Sequence, residues 1–222
     1  MQPLTVEGLK KSVYTFIQKI NQLDIPKLYG TTDGKAVGNY IEVMFNSYIK
    51  DSFTYEQGSA ATGIDFPSLG IDLKVTSIRQ PQSSCPFKSA EQKVYGLGYD
   101  LLILVYDKQD NRQNETARLD FQHAVFVNKE RTGDFQTTRG ILDMLAREAN
   151  KDDLVAFFEE RNLPLEEIGR EVLAERVLHT PPQQGYLTIS NALQWRLQYN
   201  RVITEARQGN VDGIENVFLE LG

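Results

Sequence analysis

The sequence predicts an α/β protein in which a small mixed sheet is flanked by helices and followed by a mainly helical C-terminal part. Three observations carry this. Apolar residues recur at helical spacing near the N-terminus, two strand-like stretches lie at 71–78 and 100–107, and helical periodicity returns from 138 onward.

Leu9, Val13, Phe16, Ile17 and Ile20 make an amphipathic stripe that ends near Asp24-Ile25-Pro26, so the first helix stops there. Val37, Ile41, Met44, Phe45 and Tyr48 form a second stripe over 35–49, with Glu42 beside it. Gly58 and Gly63 mark turns, and 64–67 is a short extended piece stopped by Pro67. Residues 71–78 alternate, placing Asp72, Lys74 and Thr76 on one face and Ile71, Leu73 and Val75 on the other, which predicts a half-buried strand. The stretch 80–87 reads as a Pro-, Ser- and Gln-rich loop, and 88–95 as a short helix. A continuous apolar run between Asp100 and Asp107 predicts a central strand covered on both faces. After a polar turn at 110–115, alternation over 117–127 gives another strand. Helices are then expected at 138–149, 152–161, 165–178 and 191–207, interrupted by Thr180-Pro181-Pro182 and a short strand at 186–189.

Composition narrows the class. With 222 residues, 41% of them hydrophobic, the chain is long enough to bury a real core. Its longest apolar run, 101–106, is strand-sized and far too short to span a bilayer. The first residues carry no basic-then-apolar signal pattern, and Cys85 is the sole cysteine, so the expectation is a cytoplasmic protein without disulfides. The net charge of -6 argues mildly against a nucleic-acid partner, but residues 148–178 hold nine acids against four bases, or -5 of that total. The remainder is almost neutral, and 74–93 is locally basic.

Chemistry concentrates in residues 63–74, Gly-Ile-Asp-Phe-Pro-Ser-Leu-Gly-Ile-Asp-Leu-Lys. Asp72 and Lys74, two apart on a strand, leave the same face, and Asp65 lies on a segment that can come alongside. Two carboxylates beside an ammonium suit phosphodiester hydrolysis, which uses a hard divalent cation and a positioned water.

The pattern Asp-Phe-Pro-x-Leu-Gly-Ile-Asp-Leu-Lys resembles the catalytic segment of the PD-(D/E)XK endonuclease superfamily in its MutH-like and type II restriction-enzyme branch. That branch has Glu where this chain has Asp72, a change the wider superfamily accepts. Lys35, Gly38 and Glu42 match, in type and order, the family's helix ahead of the catalytic strand. The resemblance covers residues 35–107. It implies a restriction-endonuclease-like core, Mg²⁺ as cofactor, and Asp65, Asp72 and Glu42 as metal-binding residues. Lys74 would serve the attacking water.

Other candidates are weaker. His123, His179 and Cys85 are too few for a zinc site, and Cys85 has no adjacent base. Gly96-Leu97-Gly98 lacks the context of a dinucleotide loop. Gln80, Gln82, Ser83, Ser84, Lys88, Gln92 and Lys93 follow the catalytic strand, and their amides, hydroxyls and ammonium groups suit phosphate or base-edge contacts. Trp195 reads as core or a dimer contact.

The expectation is a single endonuclease domain over 1–222. Residues 35–128 would form the catalytic core, and 129–222 a mainly helical extension for DNA recognition or dimerisation. Its function would be that of a type II restriction endonuclease cutting double-stranded DNA, as a homodimer or alternatively a monomer. A MutH-like strand-nicking repair enzyme and a non-catalytic DNA-binding protein are the alternatives.

Overall fold

Apolar side chains three and four apart bury one face of each N-terminal helix. The computed structural model describes residues 1–58, 63–86, 88–190 and 195–218, in which helix α1 (Val6–Ile20) buries Leu9, Val13, Phe16, Ile17 and Ile20. Thr5 caps it by accepting the Gly8 N–H. Helix α2 (Gly34–Lys50) buries Val37, Ile41, Phe45 and Ile49, and Asp33 caps it through the Lys35 N–H. The chain divides into two compact units, Met1–Pro81 with Asp100–Phe126 and Ile203–Gly222, and Gln82–Tyr99 with Val127–Val202.

In the first unit, β1 (Gln2–Pro3) and β2 (Phe53–Thr54) form a small parallel pair. The main sheet has the order β3 (Ile71–Ser77), β5 (Asp100–Asn111), β6 (Thr116–Val127) and β9 (Ile214–Asn216), where β4 is Gln82–Cys85 of the second unit. β3 and β5 are parallel, in a register that sets Asp72 beside Leu101 and Lys74 beside Ile103. β5 and β6 are neighbours joined by only four residues, 112–115, which forces an antiparallel hairpin and makes the sheet mixed. As its uninterrupted apolar run requires, Leu101–Tyr106 of β5 is buried throughout. β3 departs from the half-buried strand expected from its alternation. Asp72 and Thr76 on its polar face are buried as well, at 3% and 4% exposure. Alternation reports which residues share a face, but not what covers that face.

An aromatic chain runs from the helices to the segment ahead of β3. Phe16 meets Phe45 edge-on at 5.1 Å, Phe45 meets Phe66 at 6.3 Å, and Tyr55 lies 5.4 Å from Phe66. Phe66 is fully buried at the centre of this chain.

The second unit packs α3 (Gln92–Tyr95), α4 (Phe135–Leu145), α5 (Lys151–Glu160) and α6 (Glu167–His179) around Val94, Ile141, Leu154, Phe158, Leu173 and Val177. Beside them is a three-stranded sheet of β4, β8 (Trp195–Gln198) and β7 (Thr188–Ser190), in that order. Asp134 links the two parts. Its carboxylate caps α4 through the Thr137 N–H and hydroxyl at 2.9 and 2.7 Å, and accepts the Ile189 N–H of β7 at 2.9 Å.

Three expected elements are corrected. The helix expected over 191–207 begins only at α7 (Asn200–Gln208); Trp195–Gln198 is strand, and 191–194 lie outside the described residues. Trp195, Leu197 and Tyr199 are buried at alternate positions, a period of two that sequence reasoning merged into the helical stripe behind it. The loop expected over 80–87 contains β4, whose Gln and Ser residues give no hydrophobic alternation and which is a strand because β8 pairs with it; Phe87 lies outside the described residues. The helix expected over 88–95 is a single turn at Gln92–Tyr95. Among the described residues no helix is long and apolar enough to cross a membrane.

Truncating Phe66 to Ala empties the middle of the aromatic chain. Loss of a buried Phe side chain costs about 3–5 kcal/mol, so urea unfolding of Phe66→Ala should show a correspondingly lower midpoint. An unchanged midpoint would contradict this placement.

Candidate active site

The order Asp-Phe-Pro-x-Leu-Gly-Ile-Asp is a compact reversal of the chain. Pro67–Leu69 form one 3₁₀ turn, started by the fixed φ of Pro67 and ended by Gly70 at φ 67°, a conformation that favours glycine. The reversed chain then pairs with itself. Phe66 N–H donates to Ile71 O at 2.9 Å, and Ile71 N–H donates back to Phe66 O at 3.3 Å. One step along this antiparallel register, Asp65 faces Asp72. Its Oδ2 accepts the Leu73 N–H at 2.8 Å, on the edge of β3 that no sheet neighbour occupies.

Asp72 therefore sits between an acid and a base. Its carboxyl shares a hydrogen bond with Asp65, and its Oδ2 is 2.8 Å from Lys74 Nζ. Burial pushes the Asp72 pKa from 3.8 up to about 7; Lys74 pulls against this, and the hydrogen bond and charge of Asp65 add to the rise. Burial alone would pull Lys74 down, but Asp72, Asp65 and Glu42 outweigh it and hold its ammonium above the ordinary lysine value. Lys74 is thus a permanent cation and hydrogen-bond donor at any physiological pH.

Glu42 reaches this set from α2. A Cβ on Gly38 would lie 3.3 Å from the Val75 carbonyl oxygen, so glycine there lets the helix approach β3 closely. Glu42 is one turn further on. Burial raises its pKa, Asp65 raises it further, and Lys74 offsets part of the rise. Sequence reasoning missed two neighbours. Tyr55 has its phenol pKa raised by burial and then by Asp65, and its hydroxyl donates to Asn46 Oδ1 at 2.9 Å. Asn46 follows Glu42 by four residues on the helix, a spacing that could have flagged it; Tyr55 had no sequence signal.

The structure therefore brings Asp65, Asp72, Lys74 and Glu42 into one charged group. Among the described residues no group of three or more His, Cys, Asp or Glu side chains is placed to hold a metal ion. The acidic set is an Asp65–Asp72 pair in contact, with Glu42 joined to it through charge. The charge of Asp65 raises the pKa of both Asp72 and Glu42, so an added positive charge would be favoured here, as a divalent cation supplies. A pair of carboxylates fits an ion that keeps water and phosphate oxygens as its remaining ligands.

The seven residues expected to meet DNA are placed differently from one another. Gln80 is exposed in the first unit. Gln82 and Ser84 alternate with Ser83 on β4, and the Ser83 hydroxyl is hydrogen-bonded to Tyr199. Lys88 is exposed, with its ammonium 5.9 Å from the Tyr99 ring centroid. Gln92 is buried, donating to Leu97 O at 3.3 Å and accepting the Lys88 N–H at 3.2 Å. Lys93 is buried too. Burial lowers its pKa, Asp134 opposes this, and Arg161 adds to it.

A mixed sheet whose edge strand carries the acid–base pair, backed by a helix bearing a further acid, is a restriction-endonuclease-like α/β core. The chain belongs to the type II restriction enzyme NspV family, whose model matches residues 3–216. It is 57% identical over 218 residues to the type II restriction enzyme NspV of Nostoc sp. (strain ATCC 29411 / PCC 7524), an alignment covering 98% of each chain. No solved structure matches it.

A raised carboxyl pKa gives the folded state extra proton affinity. Its stabilising effect is complete below the unfolded value near pH 3.8 and is lost as pH rises to about 7. Asn at position 72 can still donate to Asp65, as protonated Asp72 does, but never ionises. In EDTA, the melting temperature of Asp72→Asn should match wild type near pH 4 and exceed it increasingly up to pH 7. A difference independent of pH would refute the assignment.

Proposed function

We propose that this type II restriction endonuclease hydrolyses duplex DNA at a short specific sequence with Mg²⁺ as its cofactor. Asp65 and Asp72 would hold the ion, and Glu42 assists them. The observation that supports this most is the contact between Asp65 and Asp72 beside the Lys74 ammonium, in a chain of this family.

Bound Mg²⁺ supplies neutralisation of phosphate charge and acidification of a water. The chain's own groups do the rest. Lys74, a permanent cation fixed by Asp72, donates a hydrogen bond to the attacking water or to a phosphate oxygen as negative charge grows on it. Glu42 can accept a hydrogen bond from the same water, which aligns one of its lone pairs on phosphorus. Attack forms the new P–O bond and breaks the bond to the 3′ oxygen, leaving a 3′-hydroxyl and a 5′-phosphate. Burial of Asp72 excludes water from its flank and strengthens each of these charge interactions. A homodimer would present one centre to each strand of a palindromic site.

Incubation with supercoiled plasmid and Mg²⁺ should give linear fragments with uniform ends, and EDTA should abolish them. Asp65→Ala and Lys74→Ala should each lower the cleavage rate by about a thousandfold or more while the far-ultraviolet circular dichroism is retained. Full Mg²⁺-dependent cleavage by either variant would refute the site; open circles alone would point to a strand-nicking enzyme.

A further inference from the structure

The three-stranded sheet of the second unit has two faces of opposite character. Its register pairs Gln82 with Gln198 and Gln198 with Thr188, then Ser84 with Arg196 and Arg196 with Ser190. Cross-strand partners share a face and every second residue returns to it, so these six side chains form two parallel rows on one surface. All six are polar, none is acidic, and none is buried. The intervening residues Cys85, Ile189, Trp195 and Leu197 are buried on the opposite face, between 0% and 3% exposed.

The apolar core is served by the other side, and on this one Ser84 and Arg196 are exposed while Gln82, Gln198, Thr188 and Ser190 are half-buried. We propose that this face reads base edges in the major groove of duplex DNA, with Arg196 at the centre of the reading surface. This rests on the nuclease function above and deepens it. The groove admits a β-ribbon; a guanidinium donates two hydrogen bonds to guanine, and a glutamine amide both donates to and accepts from adenine. Arg196 lies in the middle strand with a serine on either side, and Gln198, in the neighbouring row, lies between Gln82 and Thr188. This set combines one fork donor, two amides and three hydroxyls, with the positive charge that DNA favours and no carboxylate to repel it. The sheet is also held rigid. Asp134 binds the Ile189 N–H at 2.9 Å, and Phe135 N–H donates to Leu187 O at 2.8 Å, which fixes β7 before any ligand arrives and lowers the ordering cost of binding.

Ser83, which sequence reasoning grouped with Gln82 and Ser84, is outside this surface because it alternates onto the opposite face, paired with Leu197, where its hydroxyl is hydrogen-bonded to Tyr199. Arg196, Gln198, Thr188 and Ser190 enter it instead.

The test uses the full chain and duplex oligonucleotides carrying the site mapped from wild-type plasmid fragments, together with every single-base-pair variant of that site. Arg196→Ala and Arg196→Lys should each lower kcat/KM on the mapped site by about 10- to 150-fold, the span of a bidentate base contact. Both should also reduce discrimination at one base-pair position by a similar factor, and Gln198→Ala should do so at another. Melting temperatures of the variants report folding separately. Recovery of wild-type discrimination by Arg196→Lys would reduce the residue to a charge contact with phosphate and overturn the proposal. So would unchanged discrimination in both Arg196→Ala and Gln198→Ala. A wild-type protein that cuts no plasmid would overturn the nuclease function itself, an outcome distinct from either.

Discussion

The backbone bridge between Phe66 and Ile71 is the constraint on which the candidate centre depends. Two hydrogen bonds across a turn closed by Pro67 and Gly70 convert a seven-residue separation into a face-to-face pair, Asp65 opposite Asp72. Each feature of the intervening sequence contributes to that geometry. Proline starts the turn, glycine supplies a left-handed φ at its end, and the buried Phe66 ring anchors it between Phe45 and Tyr55. A one-residue slip would send Asp65 to the other side of the segment, because side chains alternate along an extended chain.

What this geometry creates is electrostatic tension. Two carboxyls in contact, one of them buried, repel each other, and a third on α2 adds to the repulsion. The Lys74 ammonium relieves part of it without removing it, since Asp72 remains far above the ordinary carboxyl range. A purely structural strand would gain by replacing Asp72 with an apolar residue, so the tension itself points to a group kept for chemistry. The same interactions hold Lys74 protonated, which suits it to donate a hydrogen bond.

The second unit treats polar residues in the opposite way. Asp134 is buried, yet three hydrogen bonds satisfy it and tie α4 to β7, so its role is completed within the fold. Gln92 is likewise engaged at both ends of its amide. The outer face of the β4–β8–β7 sheet instead presents six polar groups that packing does not bury. The difference is one of burial: a buried polar group must find its partner inside the protein, whereas one at the surface stays accessible from outside.

The amino-acid sequence by itself determined the α/β class, both N-terminal helices, the buried central strand and the acid–lysine motif. Each of these is written in local periodicity or in a short contiguous spacing. That Asp65, Asp72 and Lys74 come together was legible because a ten-residue stretch contains all three side chains and the turn that joins them; the approach of Glu42 was legible through its glycine one turn before. The tertiary structure alone decided the rest. Tyr55 and Asn46 join the charged group through contacts across separate elements. Asp72 and Thr76 on the polar face of β3 are buried, although its alternation predicted a half-buried strand. β4 and β8 are strands because each pairs with a partner over a hundred residues away in the chain, and such pairing leaves no local pattern. Arg196 was therefore hidden in an expected helix, and Ser83, Gln92 and Lys93 were grouped with surface residues by proximity in sequence. Local spacing sets which residues share a face, while burial and long-range pairing set what that face meets.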